Sequence, residues 1–137
     1  MNTPKVDIRK VTDSFAVSPQ IQPGDVEALK EAGYTTLVCN RPDNEDTGQP
    51  VFDSIAERAQ SLGMDVHHIP ITAGMLGPHH IEQTAAVIDG AEGKVFAYCR
   101  SGTRSVMLWA LQEVTKRPRD EVVALAAAAG YDLSQQL

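Results

Sequence analysis

The sequence predicts a single α/β domain over residues 1–137, a three-layer arrangement with a mainly parallel central sheet and helices on both faces. Segments with the period of a half-buried helix alternate with short apolar runs rich in β-branched and aromatic residues. The run Val95-Phe96-Ala97-Tyr98 is apolar without interruption, which suits a strand buried on both faces. A chain of 137 residues, 42% hydrophobic and 22% charged, also has the length and composition for one packed core.

Each element has its own signal. The stretch from Lys5 to Val17 predicts edge strands, paired as a hairpin. A helix is expected from Pro23 to Ala32, with proline in its first turn, Val26 and Leu29 facing inward and Gly33 as its stop. Strands are expected at Thr35–Cys39, Val66–Ile69 and Val95–Tyr98. The helical template is met by Phe52-Ile55-Ala56-Ala59, Ile81-Thr84-Ala85-Ile88, Met107-Ala110-Leu111-Val114 and Val122-Leu125-Ala126-Ala129. Pro78 and Pro118 can start two of these helices, and Trp109 and Met107 read as core packing. The loops Asn40–Pro50 and Pro70–Pro78 both follow predicted strands, as Cys99 does. Ligands of open parallel sheets bind beyond the strand C-termini, so the three segments are expected to converge.

Eighteen acidic against twelve basic residues give a net charge of -6, which repels a phosphate backbone and an anionic lipid surface. Met1 to Lys10 has no signal-peptide apolar core, and no apolar run approaches a membrane span. The expectation is a cytoplasmic protein without nucleic-acid or membrane partners; the oligomeric state is open. Cys39 and Cys99 are too few for a disulfide framework and lack zinc-site spacing. His67-His68 lie on a strand, where neighbouring residues point to opposite faces, and Pro78-His79-His80 reads as a helix start with exposed imidazoles, so no metal site and no cofactor are expected.

The chemistry concentrates in Cys99-Arg100-Ser101-Gly102-Thr103-Arg104-Ser105. A polar loop between a strand and a helix start can aim several backbone N–H groups at one centre, an anion nest that also favours a thiolate at Cys99. Arg104 offers a planar fork to an oxyanion, and Ser105 can hydrogen-bond the sulfur and improve it as a leaving group. These three are the expected catalytic residues, with Arg100, Ser101, Gly102 and Thr103 as substrate-binding candidates. Arg41 can add positive charge near the anion or pair with Asp43, Glu45 or Asp46 to order its own loop. Cys39 is either a small core residue or a redox partner able to trap an oxidised Cys99 as a disulfide.

The loop places four residues between cysteine and arginine, as in single-domain rhodanese sulfurtransferases; it also resembles cysteine-based protein phosphatases, which normally place five. Together, Ser18-Pro19-Gln20-Ile21, Asn40-Arg41-Pro42-Asp43, His68-Ile69-Pro70-Ile71 and Ala97-Tyr98-Cys99-Arg100 resemble the bacterial phosphatase-like family that also forms the N-terminal domain of beta-lactamase-hydrolase-like proteins. That resemblance implies a dual-specificity-phosphatase-like fold. Tyr98 stands where that type usually has histidine, and Ile71-Thr72-Ala73-Gly74 lacks its usual general-acid aspartate. Asp43, Asp46 or Glu45 can substitute from the neighbouring loop. The sequence therefore puts first the transfer of sulfane sulfur through a Cys99 persulfide, between small sulfur donors and acceptors, because sulfur transfer needs no acid. The alternative is hydrolysis of phosphate monoesters, protein tyrosine or dual-specificity substrates among them, through a cysteinyl-phosphate. A non-catalytic anion-binding module is the third reading.

Overall fold

The computed structural model describes residues 6–137, so Lys5 and the first half of the Met1–Lys10 stretch lie outside the described residues. β1 (Arg9–Lys10) and β2 (Phe15–Ser18) form the expected antiparallel hairpin, with Arg9 opposite Val17. A 3-10 turn at Pro23–Asp25 leads into α1 (Val26–Glu31). Then follow β3 (Tyr34–Cys39), α2 (Phe52–Ser61), β4 (Asp65–His68), α3 (Pro78–Gly90), β5 (Lys94–Tyr98), α4 (Thr103–Glu113) and α5 (Arg119–Ala128).

The sheet runs β1-β2-β5-β3-β4, and every pairing except the hairpin is parallel. β5 occupies the middle, between β2 and β3, as its apolar run predicts. Side chains alternate across the pleat. Val95 and Ala97 join the core beneath α4 and α5, with Val106, Trp109, Val122 and Ala126. Phe96 and Tyr98 join the core beneath α1 and α2, with Val26, Leu29, Ile55 and Ala59. These two cores fix the three layers and pack β5 on both faces up to the residue before Cys99.

Three boundaries differ from expectation. The first helix opens as a tighter turn because the Asp25 carboxylate accepts the Gln22 N–H at 2.8 Å, drawing the chain in. β4 begins and ends one residue early, although Ile69 just beyond it is buried and its N–H still reaches the Cys39 carbonyl at 2.9 Å. Val114, placed by periodicity on the buried stripe, caps the end of α4 and is 36% exposed. Among the described residues no helix is long and apolar enough to cross a membrane.

Candidate active site

Cys99 is the first residue after β5, at the C-terminal edge of the sheet, and its N–H reaches the Ser18 carbonyl of β2 at 3.4 Å. Gly102 turns the chain into α4 with φ at +93°, a left-handed conformation natural to glycine, and its N–H donates to the Cys99 sulfur at 3.0 Å. A thiolate at Cys99 is thus placed under a backbone donor at the positive end of a helix. The residue is buried beneath the loop.

Arg104, in the first turn of α4, is held on two sides. Its Nη1 and Nη2 donate to Glu45 Oε2 and Oε1 at 2.7 and 2.9 Å, and Nη1 also donates to the Ile71 carbonyl at 2.8 Å. A guanidinium has five N–H donors. The end-on pair with Glu45 and the bond to Ile71 use three, and the two that remain, Nε–H and the second Nη2–H, form the side-on fork. Among the described residues no oxygen accepts from that fork. An oxyanion can therefore dock side-on while Glu45 stays in place. Arg104 is held above its ordinary pKa chiefly by the hydrogen bond to Glu45, against the opposing effect of burial, and the Cys99 sulfur adds to the same direction.

The Asn40–Pro50 loop supplies Glu45 and occupies Arg41. The Arg41 Nε donates to Glu45 Oε1 at 2.8 Å, Nη2 to Asp46 Oδ2 at 2.7 Å, and Nη1 to Gln20 Oε1 at 3.0 Å. Of its two expected roles the structure therefore realises loop ordering: with 3% exposure and three partners, Arg41 is not free for substrate. The two arginines, Arg104 foremost, pull the Glu45 carboxyl down from 4.5 to about 2. Glu45 is an anion at neutral pH and holds no proton to give.

The acid candidates are engaged elsewhere. Asp43 Oδ1 accepts the Phe52 N–H at 2.8 Å, capping the start of α2. Asp46 pairs with Arg41 and, at 3.4 Å, with the exposed Arg100. Ser105 departs from its expected role, since its buried hydroxyl donates to Asn40 Oδ1 at 2.8 Å and not to the sulfur. Asn40 in turn donates to the Ile69 carbonyl at 3.0 Å, tying the ends of β3 and β4 to the first turn of α4. Ser101 and Thr103 are exposed and hydrogen-bond each other at 3.0 Å.

The strand register argues against the redox role expected of Cys39. Cys39 lies opposite Tyr98 in register and packs with it in the core beneath α1 and α2, so the pleat sends Cys99, one residue on, to the other face. Both thiols are free. Cys39 donates to the Arg41 carbonyl at 3.3 Å, and burial pushes its pKa up to about 11, which keeps it a thiol. The histidines serve local structure: His68 stacks on Phe52 with ring centroids 4.2 Å apart, and His80 Nδ1 accepts the Gly77 N–H ahead of α3. Asn40, Gln20 and Tyr131, whose hydroxyl donates to the Ser101 carbonyl at 2.8 Å, are site neighbours that sequence reasoning missed.

The three-layer α/β arrangement, with a cysteine-to-arginine loop at the end of its central strand, is a dual-specificity-phosphatase-like fold. The chain belongs to the family described as beta-lactamase hydrolase-like protein, phosphatase-like domain, whose model matches residues 7–116. The beta-lactamase hydrolase-like protein of Xylella fastidiosa strain Temecula1 is 32% identical over 127 residues, which make up 91% of this chain and 30% of that protein. The chain thus spans about a third of the length of the curated relatives it matches. A Neisseria meningitidis Z2491 protein with a provisional phosphatase name is 37% identical, with a TM-score of 0.82 over 94% of this chain and 92% of its own. Pseudomonas aeruginosa TpbA, crystallised with phosphotyrosine, shares the fold at 13% identity, with a TM-score of 0.67 over 94% of this chain and 77% of its own. The family and the Neisseria protein back the phosphatase alternative better than the sulfur transfer that the sequence puts first.

Proposed function

We propose that the chain is a cysteine-dependent phosphatase that acts on monoesters whose leaving group departs without being protonated, aryl and tyrosyl phosphates foremost. The Cys99 thiolate attacks phosphorus, the P–O bond to the leaving group breaks with its electron pair going to that oxygen, and water then cleaves the cysteinyl-phosphate to release phosphate. The free side-on fork of Arg104 and the loop N–H groups are suited to the phosphoryl oxygens. The observation that carries this reading is the Arg104–Glu45 pair, which leaves that fork open beside Cys99. The same pair removes Glu45 as a general acid, and the other loop carboxylates cap a helix or pair with arginine. A general acid is worth about 10²–10⁴-fold, so alkyl phosphates should lag aryl phosphates by a comparable factor. Steady-state assays on the two ester classes test this. Equal kcat/KM values for the two would overturn it.

The four-residue spacing from Cys99 to Arg104 favours a second reading, sulfane-sulfur transfer. There the thiolate attacks the outer sulfur of thiosulfate, sulfite leaves with the S–S electron pair, and the Cys99 persulfide passes its sulfur to an acceptor thiol or cyanide. Thiosulfate-to-cyanide turnover without aryl-phosphate hydrolysis would put this reading first.

A further inference from the structure

Tyr131 lies beyond residues 7–116, the part of the chain that the family model matches, and follows α5. It nonetheless reaches the cysteine loop. Its hydroxyl donates to the Ser101 carbonyl at 2.8 Å. The Ser101 carbonyl and the Gly102 N–H belong to one peptide group, which is planar and trans, so the two point in opposite directions. The carbonyl end is held by Tyr131 and the N–H end donates to the Cys99 sulfur at 3.0 Å.

We infer that Tyr131 is a positioning residue that locks the Ser101–Gly102 peptide plane, keeping its N–H on the Cys99 sulfur. Donation to the carbonyl also polarises the peptide and makes its N–H a stronger donor. The fit is close: a Cβ built on Gly102 would fall 2.0 Å from the Tyr131 hydroxyl oxygen and 2.9 Å from Cζ. Glycine at this position therefore admits the tyrosine as well as the left-handed turn. The ring is braced in its turn, since it is buried in the core under α4 and α5 and the Arg9 guanidinium sits 5.2 Å from its centroid. The last segment of the chain and the N-terminal hairpin thus bear on the orientation of one peptide at the site.

The inference rests on Cys99 being the reactive thiolate, and its test separates the two ideas. Thiolate ultraviolet absorbance is titrated in the wild type and in Tyr131→Phe, each recorded against its own Cys99→Ser counterpart to remove Cys39 and tyrosine. Phenylalanine keeps the ring and loses only the donor, and Tyr131→Phe should melt within a few degrees of the wild type. Its thiolate midpoint should rise by about one pH unit, because the N–H on the sulfur loses its anchor. With aryl phosphate or thiosulfate as substrate, the acidic limb of the kcat profile against pH should move up by the same amount, with KM within about twofold. A wild-type midpoint at or above about 8.5 would overturn the reactive-thiolate reading itself. A low wild-type midpoint that Tyr131→Phe leaves unmoved would overturn the role of Tyr131 alone. Gly102→Ala pushes the same hydroxyl away from the other side and should move the midpoint in the same direction; an unchanged or lowered midpoint there would also count against the lock.

Discussion

Replacing Glu45 by glutamine tests the electrostatic frame of the site. The carboxylate accepts from Arg104 Nη1 at 2.7 Å, Arg104 Nη2 at 2.9 Å and Arg41 Nε at 2.8 Å, with only 22% of its side chain exposed. Its pKa falls from 4.5 to about 2 on folding. At 1.36 kcal/mol per unit, that shift corresponds to about 3 kcal/mol of stability. The sign follows from proton counts. Between about pH 2 and 4.5 the unfolded chain binds more protons at this position, so the contribution is complete above the unfolded value and is lost as pH falls through the folded one. Glutamine is nearly isosteric but uncharged, and one of its ends turns donors toward a guanidinium. Denaturant unfolding at neutral pH should show Glu45→Gln less stable by about 1–3 kcal/mol. The gap between mutant and wild type should narrow as both are acidified toward about pH 2, where the wild-type carboxyl protonates. A mutant as stable as wild type at neutral pH, or a gap that stays constant on acidification, would refute the assignment of this pair.

Other substitutions separate chemistry from scaffolding. Cys99→Ser should abolish turnover on every substrate while leaving the fold intact; residual activity within about tenfold of wild type would be inconsistent with an essential nucleophile. Arg104→Lys should lose at least about 10² in kcat/KM, because an ammonium cannot serve Glu45 end-on and an anion side-on together. Arg100→Ala, which removes an exposed side chain with one weak partner, should change KM more than kcat, and a loss as large as that of Arg104→Lys would reverse the two roles. Asp43→Ala should cost about 1 kcal/mol of stability through the lost cap on α2, with kcat/KM within about twofold. A hundredfold rate loss there would restore Asp43 as the acid.

The loop itself was readable because its signals are local: an unbroken apolar strand, Cys99, a glycine and a helix start are contiguous in the chain. The hairpin, the alternation of strands and helices and the central place of β5 follow from periodicity in the same way. What was not readable depends on contacts between distant residues. Three carboxylates crowd Asp43–Asp46, and Glu45 meets Arg104 because Gln49 accepts the Glu45 and Asp46 N–H groups at 3.0 and 3.3 Å while donating to the Pro42 carbonyl. Asn44, at φ +66°, completes that turn. Ser105 turns to Asn40 because that side chain, itself tied to Ile69, offers it a buried acceptor. Cys39 is different, since pleat alternation relative to Tyr98 already argued against pairing once the strand register was known. Nothing in the sequence near Tyr131 marks it, because its partner is a main-chain carbonyl.

The central claim is that Cys99 carries the transferred group as a covalent adduct, and intact-protein mass spectrometry after rapid acid quench tests it most directly. With an aryl phosphate, wild type should gain about 80 Da, one phosphoryl group, mapping to the Cys99 peptide and absent from Cys99→Ser. If sulfur transfer operates, thiosulfate should instead add about 32 Da, one sulfur removable by thiols, at the same residue. Turnover of either substrate with no adduct on Cys99, or with the same adduct in Cys99→Ser, would contradict the account.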